Sequence, residues 1–191
     1  MAAGCVDDGE LGGPGLGDTV ALKVGDWEYT TGDLEAEVEQ WASNPVFLSQ
    51  VVQITDIGVE GRRSSELVTY VLSHRVISEL ARQLSEDTGF QVADAAVQAV
   101  IADVDAGFPD PNTGGPLFGA YAEEFRQLIG RDFVVQENLF QAVDLNLADV
   151  PSVSVNPRYG TYQDLDRGLG QVIGPEGPRP APTSGILEFD R

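Results

Sequence analysis

The sequence predicts a mainly helical domain carrying a small antiparallel β-sheet, and three observations predict it. Long stretches repeat apolar residues at helical spacing, above all Leu67, Val68, Val71, Leu72, Val76, Ile77, Leu80, Ala81 and Leu84. Two short alternating runs, Val20-Leu22-Val24 and Trp27-Glu28-Tyr29, flank the two-residue turn Gly25-Asp26 and read as a hairpin. A late alternating stretch, Ser152 to Asn156, supplies one more strand for the same sheet.

Each element follows in order. After the hairpin, Thr30 and Asp33 form a capping pair, and Leu34, Val38 and Trp41 give a helix one buried face until Asn44-Pro45 stops it. Residues 46–60 are apolar on several faces at once, which predicts a helix followed by a loop. The stripe from Ser64 to Thr88 is the central helix, and Gly89 is its C-terminal stop. Val97, Val100, Ile101 and Val104 mark the next helix, which ends in the turn-rich segment GFPDPNTGGP. Two further helices are expected, one at about residues 117–129 with Phe118, Tyr121, Phe125, Leu128 and Ile129, the other at about 131–148 with Phe133, Leu139, Phe140, Val143 and Leu147. The Pro- and Gly-rich stretch GPEGPRPAPTSG has no packing face, so residues 164–191 are expected to form a tail.

Composition excludes some functions. With 11 Lys and Arg against 31 Asp and Glu the net charge is -20, which repels a phosphate backbone and argues against nucleic acid as a partner. No apolar run approaches the roughly 18 to 20 residues needed to span a bilayer. Cys5 is the single cysteine and has neither an apolar periodic setting nor a neighbouring base. The run Ala2-Ala3-Gly4-Cys5 has the form of a lipoprotein cleavage site, where small residues precede the cysteine that is acylated, although the charged and apolar parts of a signal do not precede it here. Residues 6–18 then form an acidic, Gly-rich tether, and 1–18 are a lipobox remnant with its linker. The expected location is extracytoplasmic, with the membrane reached through the lipid anchor at Cys5.

The order of hairpin, TTGDLEAEVEQ helix, long central helix, Gly-Phe-Gln-Val entry into ADAAVQAVI and late strand VSVNPRYGTY resembles the N-terminal chaperone domain of SurA-like and PrsA-like proteins. Thr31-Gly32-Asp33-Leu34 matches the opening of that family's first helix, and Asn156 to Tyr162 looks like the closing motif of actinobacterial lipoproteins with this domain. The resemblance covers about residues 18–163, and it implies a SurA-N-like helical chaperone domain over residues 19–163. Many relatives insert a parvulin-type prolyl isomerase domain of roughly 90 residues, a compact unit of its own. That insert needs paired histidines, and here His74 is the single histidine, so the resemblance implies the chaperone module without the isomerase.

Other chemistry is thinly supported. His74 reads as a satisfied or exposed helical histidine, because no nucleophile motif accompanies it. Asp110, Asn112 and Gly115 occupy three positions of a calcium loop, but Gly114 and Tyr121 stand where further ligands are needed, so a plain turn is expected and no metal or other cofactor. One Cys and one His cannot build a zinc site. The aromatic residues are the better lead. Phe108, Phe118, Tyr121 and Phe125, with Phe47, Val51 and Ile54 from the second apolar strip, are the expected lining of a groove for apolar segments of unfolded or partly folded secreted proteins. The expected function is an ATP-independent extracytoplasmic chaperone or folding factor, not an enzyme. The alternatives are a lipid-anchored surface scaffold holding one partner, favoured by a closed surface, and an enzyme with an unrecognised carboxylate pair, favoured by a deep acidic cleft.

Overall fold

A computed structural model describes residues 19–141, 150–164 and 170–175 of the chain. Cys5, the segment 6–18, Val143, Leu147 and the Pro-rich end from residue 176 onward lie outside the described residues. The architecture is mainly α with a small antiparallel sheet.

Strands β1 (Val20–Val24) and β2 (Trp27–Thr30) form the expected hairpin, with Val24 opposite Trp27 and Gly25 at φ 57, a conformation glycine adopts without a side-chain clash. Thr30 then caps α1 (Thr31–Ala42): its hydroxyl accepts from the Asp33 N–H at 3.1 Å, while the Asp33 carboxylate accepts from the Thr30 N–H at 3.1 Å. Leu34, Val38 and Trp41 all face the core.

Residues 45–57 are not a simple helix and loop. A single turn, α2 (Pro45–Phe47), widens into a π-helical turn at Leu48–Val52 and ends at Gln53 with φ 65. The Ile54 N–H donates to the Leu48 carbonyl at 2.9 Å across this wide turn, so that both Leu48 and Ile54 reach the core. A second hairpin, β3 (Gly58–Val59) with β4 (Arg62–Arg63), follows, where the sequence suggests only a loop.

The central helix α3 (Ser65–Asp87) begins at the Ser64 cap and stops as expected. Gly89 sits at φ 74, its N–H donating to the Glu86 carbonyl and the Phe90 N–H to the Ser85 carbonyl, the two bonds of a Schellman stop. Helix α4 (Asp94–Gly107) follows, and a closed turn joins Pro109 to Pro116 across the loop.

After this loop the structure departs from the sequence expectation. Phe118–Ala120 form a single 3-10 turn, and one continuous helix, α5 (Glu123–Gln141), replaces the two expected helices. Gly130, at the junction between the two expected helices, serves close packing: a Cβ there would stand 2.9 Å from Ile101 Cγ1 and 3.0 Å from Val97 Cγ1 of α4.

Strand β5 (Val153–Val155) pairs antiparallel with β1, Leu22 opposite Val155, giving the sheet order β2-β1-β5. The domain does not end at residue 163. Strands β6 (Thr161–Asp164) and β7 (Gly170–Ile173) form another hairpin, and Val172 is buried against the helical core with its N–H donating to Ser73 Oγ of α3 at 3.0 Å.

Candidate functional site

Trp41 is the centre of the aromatic set. Its fully buried ring meets Tyr70 at 5.2 Å, His74 at 5.6 Å, Tyr121 at 5.9 Å and Phe125 at 5.2 Å, all edge to face. Phe47 packs on Phe118 at 5.5 Å and on Tyr121 at 5.5 Å. Polar groups lock the cluster: Tyr121 Oη donates to the Trp41 carbonyl at 3.1 Å, and Asn44 Nδ2 donates to the Leu117 carbonyl at 2.7 Å. These two bonds fasten the end of α1 to the segment before α5.

This placement corrects the expected groove. Phe47, Ile54, Phe118, Tyr121 and Phe125 are 1, 0, 0, 4 and 3% exposed and form the core itself. Val51 and Phe108 are half-buried and pack against it. The physical reason is mutual satisfaction: the wide turn at 48–52 and the 3-10 turn at 118–120 fold the two apolar strips onto each other and onto Trp41. Among the described residues the large apolar side chains left exposed are Val46, Val59 and Leu128.

Beside this cluster lies a group of charges that the sequence reading does not single out. Arg75 of α3 donates from Nε to Glu37 Oε2 of α1 at 2.5 Å and from Nη1 to Asp132 Oδ2 of α5 at 2.9 Å. Glu37 also accepts from Tyr29 Oη at 2.7 Å and from Trp41 Nε1 at 3.2 Å. All three charged residues are buried, so one guanidinium joins three helices in a medium where unpaired charge is costly. A visible signal exists: Glu37 falls on the stripe of Leu34, Val38 and Trp41, and Asp132 on that of Ile129 and Phe133, positions where a charge needs a buried partner.

The electrostatics follow from burial. Withdrawal from water pushes the Asp132 carboxyl up to about 7, and the Glu37 and Glu79 charges add to this against the pull of Arg75. Burial alone would lower Arg75, but Asp132 and Glu37 outweigh it and hold the guanidinium firmly charged. Burial also raises the Tyr29 phenol, with the Glu37 carboxylate beside it.

His74 is neither satisfied nor exposed. It is 4% exposed, among Trp41, Tyr70 and Phe133, and both ring nitrogens lack a hydrogen-bond partner. Burial first, and the Arg75 charge second, hold its pKa well below the usual histidine value, so its 3.8 Å approach to Asp132 is not an ion pair.

Polar pairs continue the α3–α5 contact. Gln136 Nε2 donates to Ser78 Oγ at 2.8 Å and Asn138 Nδ2 to Ser85 Oγ at 3.1 Å, which fixes how the two helices register. Asp110 accepts from the Asn112 N–H at 2.8 Å and from Thr113 Oγ1 at 2.9 Å, spending its carboxylate on the turn. Among the described residues no group of three or more His, Cys, Asp or Glu is placed to hold a metal ion, and no helix is long and apolar enough to cross a membrane. Neither a family model nor a curated protein nor a solved structure matches the chain.

Proposed function

We propose that this chain is an extracytoplasmic interaction domain, anchored by a lipid at Cys5, that holds one folded partner on its closed acidic surface. The single observation that carries the reading is the burial of Phe47, Ile54, Phe118, Tyr121 and Phe125 in one core. A general holdase needs contiguous exposed apolar surface, because binding of varied sequences rests on nonspecific burial. A closed domain within a chain of net charge -20 favours a partner that presents basic side chains, with association steered by charge and weakened by salt.

A second reading keeps the chaperone function. It draws support from the element order, hairpin, capped helix, long central helix and a late strand returning to β1, which is the order implied by the resemblance to SurA-like and PrsA-like domains. In this reading the half-buried Val51, Val52 and Ile57 beside the left-handed Gln53 mark where the fold opens to a client.

The test is capture from envelope extracts by the purified chain carrying photo-crosslinkers at exposed positions, followed by reconstitution with the purified candidate. Saturable one-to-one binding that weakens between 50 and 500 mM salt, on the order of a tenfold change in Kd or more, supports the interaction domain. Retention of many unfolded proteins without a native partner supports the chaperone.

A further inference from the structure

Strands β6 and β7 form a sheet of their own, separate from β2-β1-β5, and β7 lies along one face of α3. Thr69 and Ser73, one helical turn apart, build its seat. Ser73 Oγ accepts the Val172 N–H at 3.0 Å, and a Cβ on Gly174 would stand 3.0 Å from Thr69 Oγ1. Val172 is the buried anchor. None of these residues is charged: the strand and the glycine after it read Gly-Gln-Val-Ile-Gly. A two-stranded hairpin is marginal by itself, so β6 and β7 depend on this seat.

A short link joins the hairpin to the rest of the domain. Asn156 belongs to the three-stranded sheet, its N–H donating to the Ala21 carbonyl at 2.9 Å and its Nδ2 to the Val20 carbonyl at 3.1 Å. Gly160 belongs to the hairpin: it has φ 133, and a Cβ there would collide with the Ile173 carbonyl. Between them Pro157, Arg158 and Tyr159 fold back in a turn, closed by the Tyr159 N–H on the Asn156 carbonyl at 2.9 Å and the Arg158 N–H on Asn156 Oδ1 at 3.0 Å. Proline and the residue before it favour extended backbone, so opening this turn leads to a conformation the segment accepts.

We propose that two copies of this chain exchange their β6–β7 hairpins, each seating its β7 on the Thr69 and Ser73 face of the other's α3. The seat itself argues for this occupant. The strand that fits it is the chain's own, a second copy carries the identical strand, and exchange remakes each contact of the closed domain across the dimer. A short hinge loop such as Pro157 to Tyr159 favours that outcome. The net charge of -20 on each chain opposes association at low salt, although the exchanged surfaces are uncharged, and salt screens the repulsion. The dimer therefore accumulates with salt, the reverse of binding to a basic partner. It also presents two copies of the domain, which turns weak single contacts into avid ones.

The experiment uses the full chain, refolded from urea at millimolar concentration in about 0.5 M salt, where screening is nearly complete. Chromatography with light scattering is expected to show a dimer that increases severalfold over low-salt refolding. Refolding a mixture of isotope-labelled and unlabelled chains then locates the hairpin. The nuclear Overhauser contact between the Val172 amide proton and the Ser73 β-protons should cross from one chain to the other in the dimer. Six Gly and Ser residues inserted after Pro157 should lower the dimer fraction severalfold, because a longer hinge closes within one chain. A chain that stays monomeric, a dimer whose Val172–Ser73 contact remains within each chain, or a dimer fraction unchanged by the insertion would overturn the proposal.

Discussion

Arg75 Nη1 lies 2.9 Å from Asp132 Oδ2, joining the middle of α3 to the middle of α5 across 57 residues of sequence. The same guanidinium reaches Glu37, so its removal strands two buried carboxylates at once. Arg75→Ala is expected to lower the unfolding free energy by about 3–5 kcal/mol, since breaking a buried pair leaves uncompensated charge. The triple change Arg75→Met, Glu37→Gln and Asp132→Leu should cost much less than the single one. Urea denaturation measures both, and a single variant no weaker than the triple one contradicts the buried network.

Gly130 is expected to reject a methyl group. An added Cβ approaches Ile101 Cγ1 to 2.9 Å, and overpacking of about 1–3 kcal/mol should exceed the helix-propensity gain of about 1 kcal/mol from glycine to alanine. Gly130→Ala should therefore destabilise, and Gly130→Ala placed in an Ile101→Ala background should be neutral or stabilising. Thermal melts of the four chains of this cycle read the change of sign. Additive effects would show that α4 and α5 do not touch there.

Truncation after Asp164 removes β7 and with it Val172, which is 3% exposed. Loss of a buried valine side chain alone is worth about 1.5–3 kcal/mol, and the β6 partner strand is lost as a pair too. A clear fall in the melting temperature is expected, whereas an unchanged transition would place the β6–β7 hairpin outside the cooperative fold.

These elements divide by how locally they are specified. The Thr30 and Asp33 capping box, the Leu67 to Leu84 stripe and the Gly89 stop are legible because each depends on neighbours within a turn or two of one helix. Gly130 misleads because glycine marks both helix ends and close approaches, and only the opposite helix distinguishes them. Strand β7 is too short to announce itself, its burial depending on Ser73 nearly a hundred residues earlier. The aromatic residues are legible as a set, and Glu37 and Asp132 are visible as charges on apolar stripes. Whether the aromatic set opens as a groove or closes as a core depends on the turns at 48–52 and 118–120, which have no periodic signature.

The closed core has a direct consequence for Phe118 and Phe125. Truncating either to alanine is expected to cost about 3–5 kcal/mol, the range for large aromatic side chains in a packed interior. Circular dichroism of Phe118→Ser combined with Phe125→Ser should show loss of cooperative helix at ambient temperature. A stable, fully helical double variant would mean that the two rings do not hold the fold.

The most direct measurement is suppression of aggregation of chemically unfolded test proteins by the full chain at near-stoichiometric ratio without nucleotide. With the apolar set of Phe47, Ile54, Phe118, Tyr121 and Phe125 closed, the account predicts no protection at neutral pH and moderate salt, across basic, neutral and acidic clients alike. Protection of several unrelated clients, lost when Val51 and Ile57 are made serine, would contradict it and assign the domain to the chaperones.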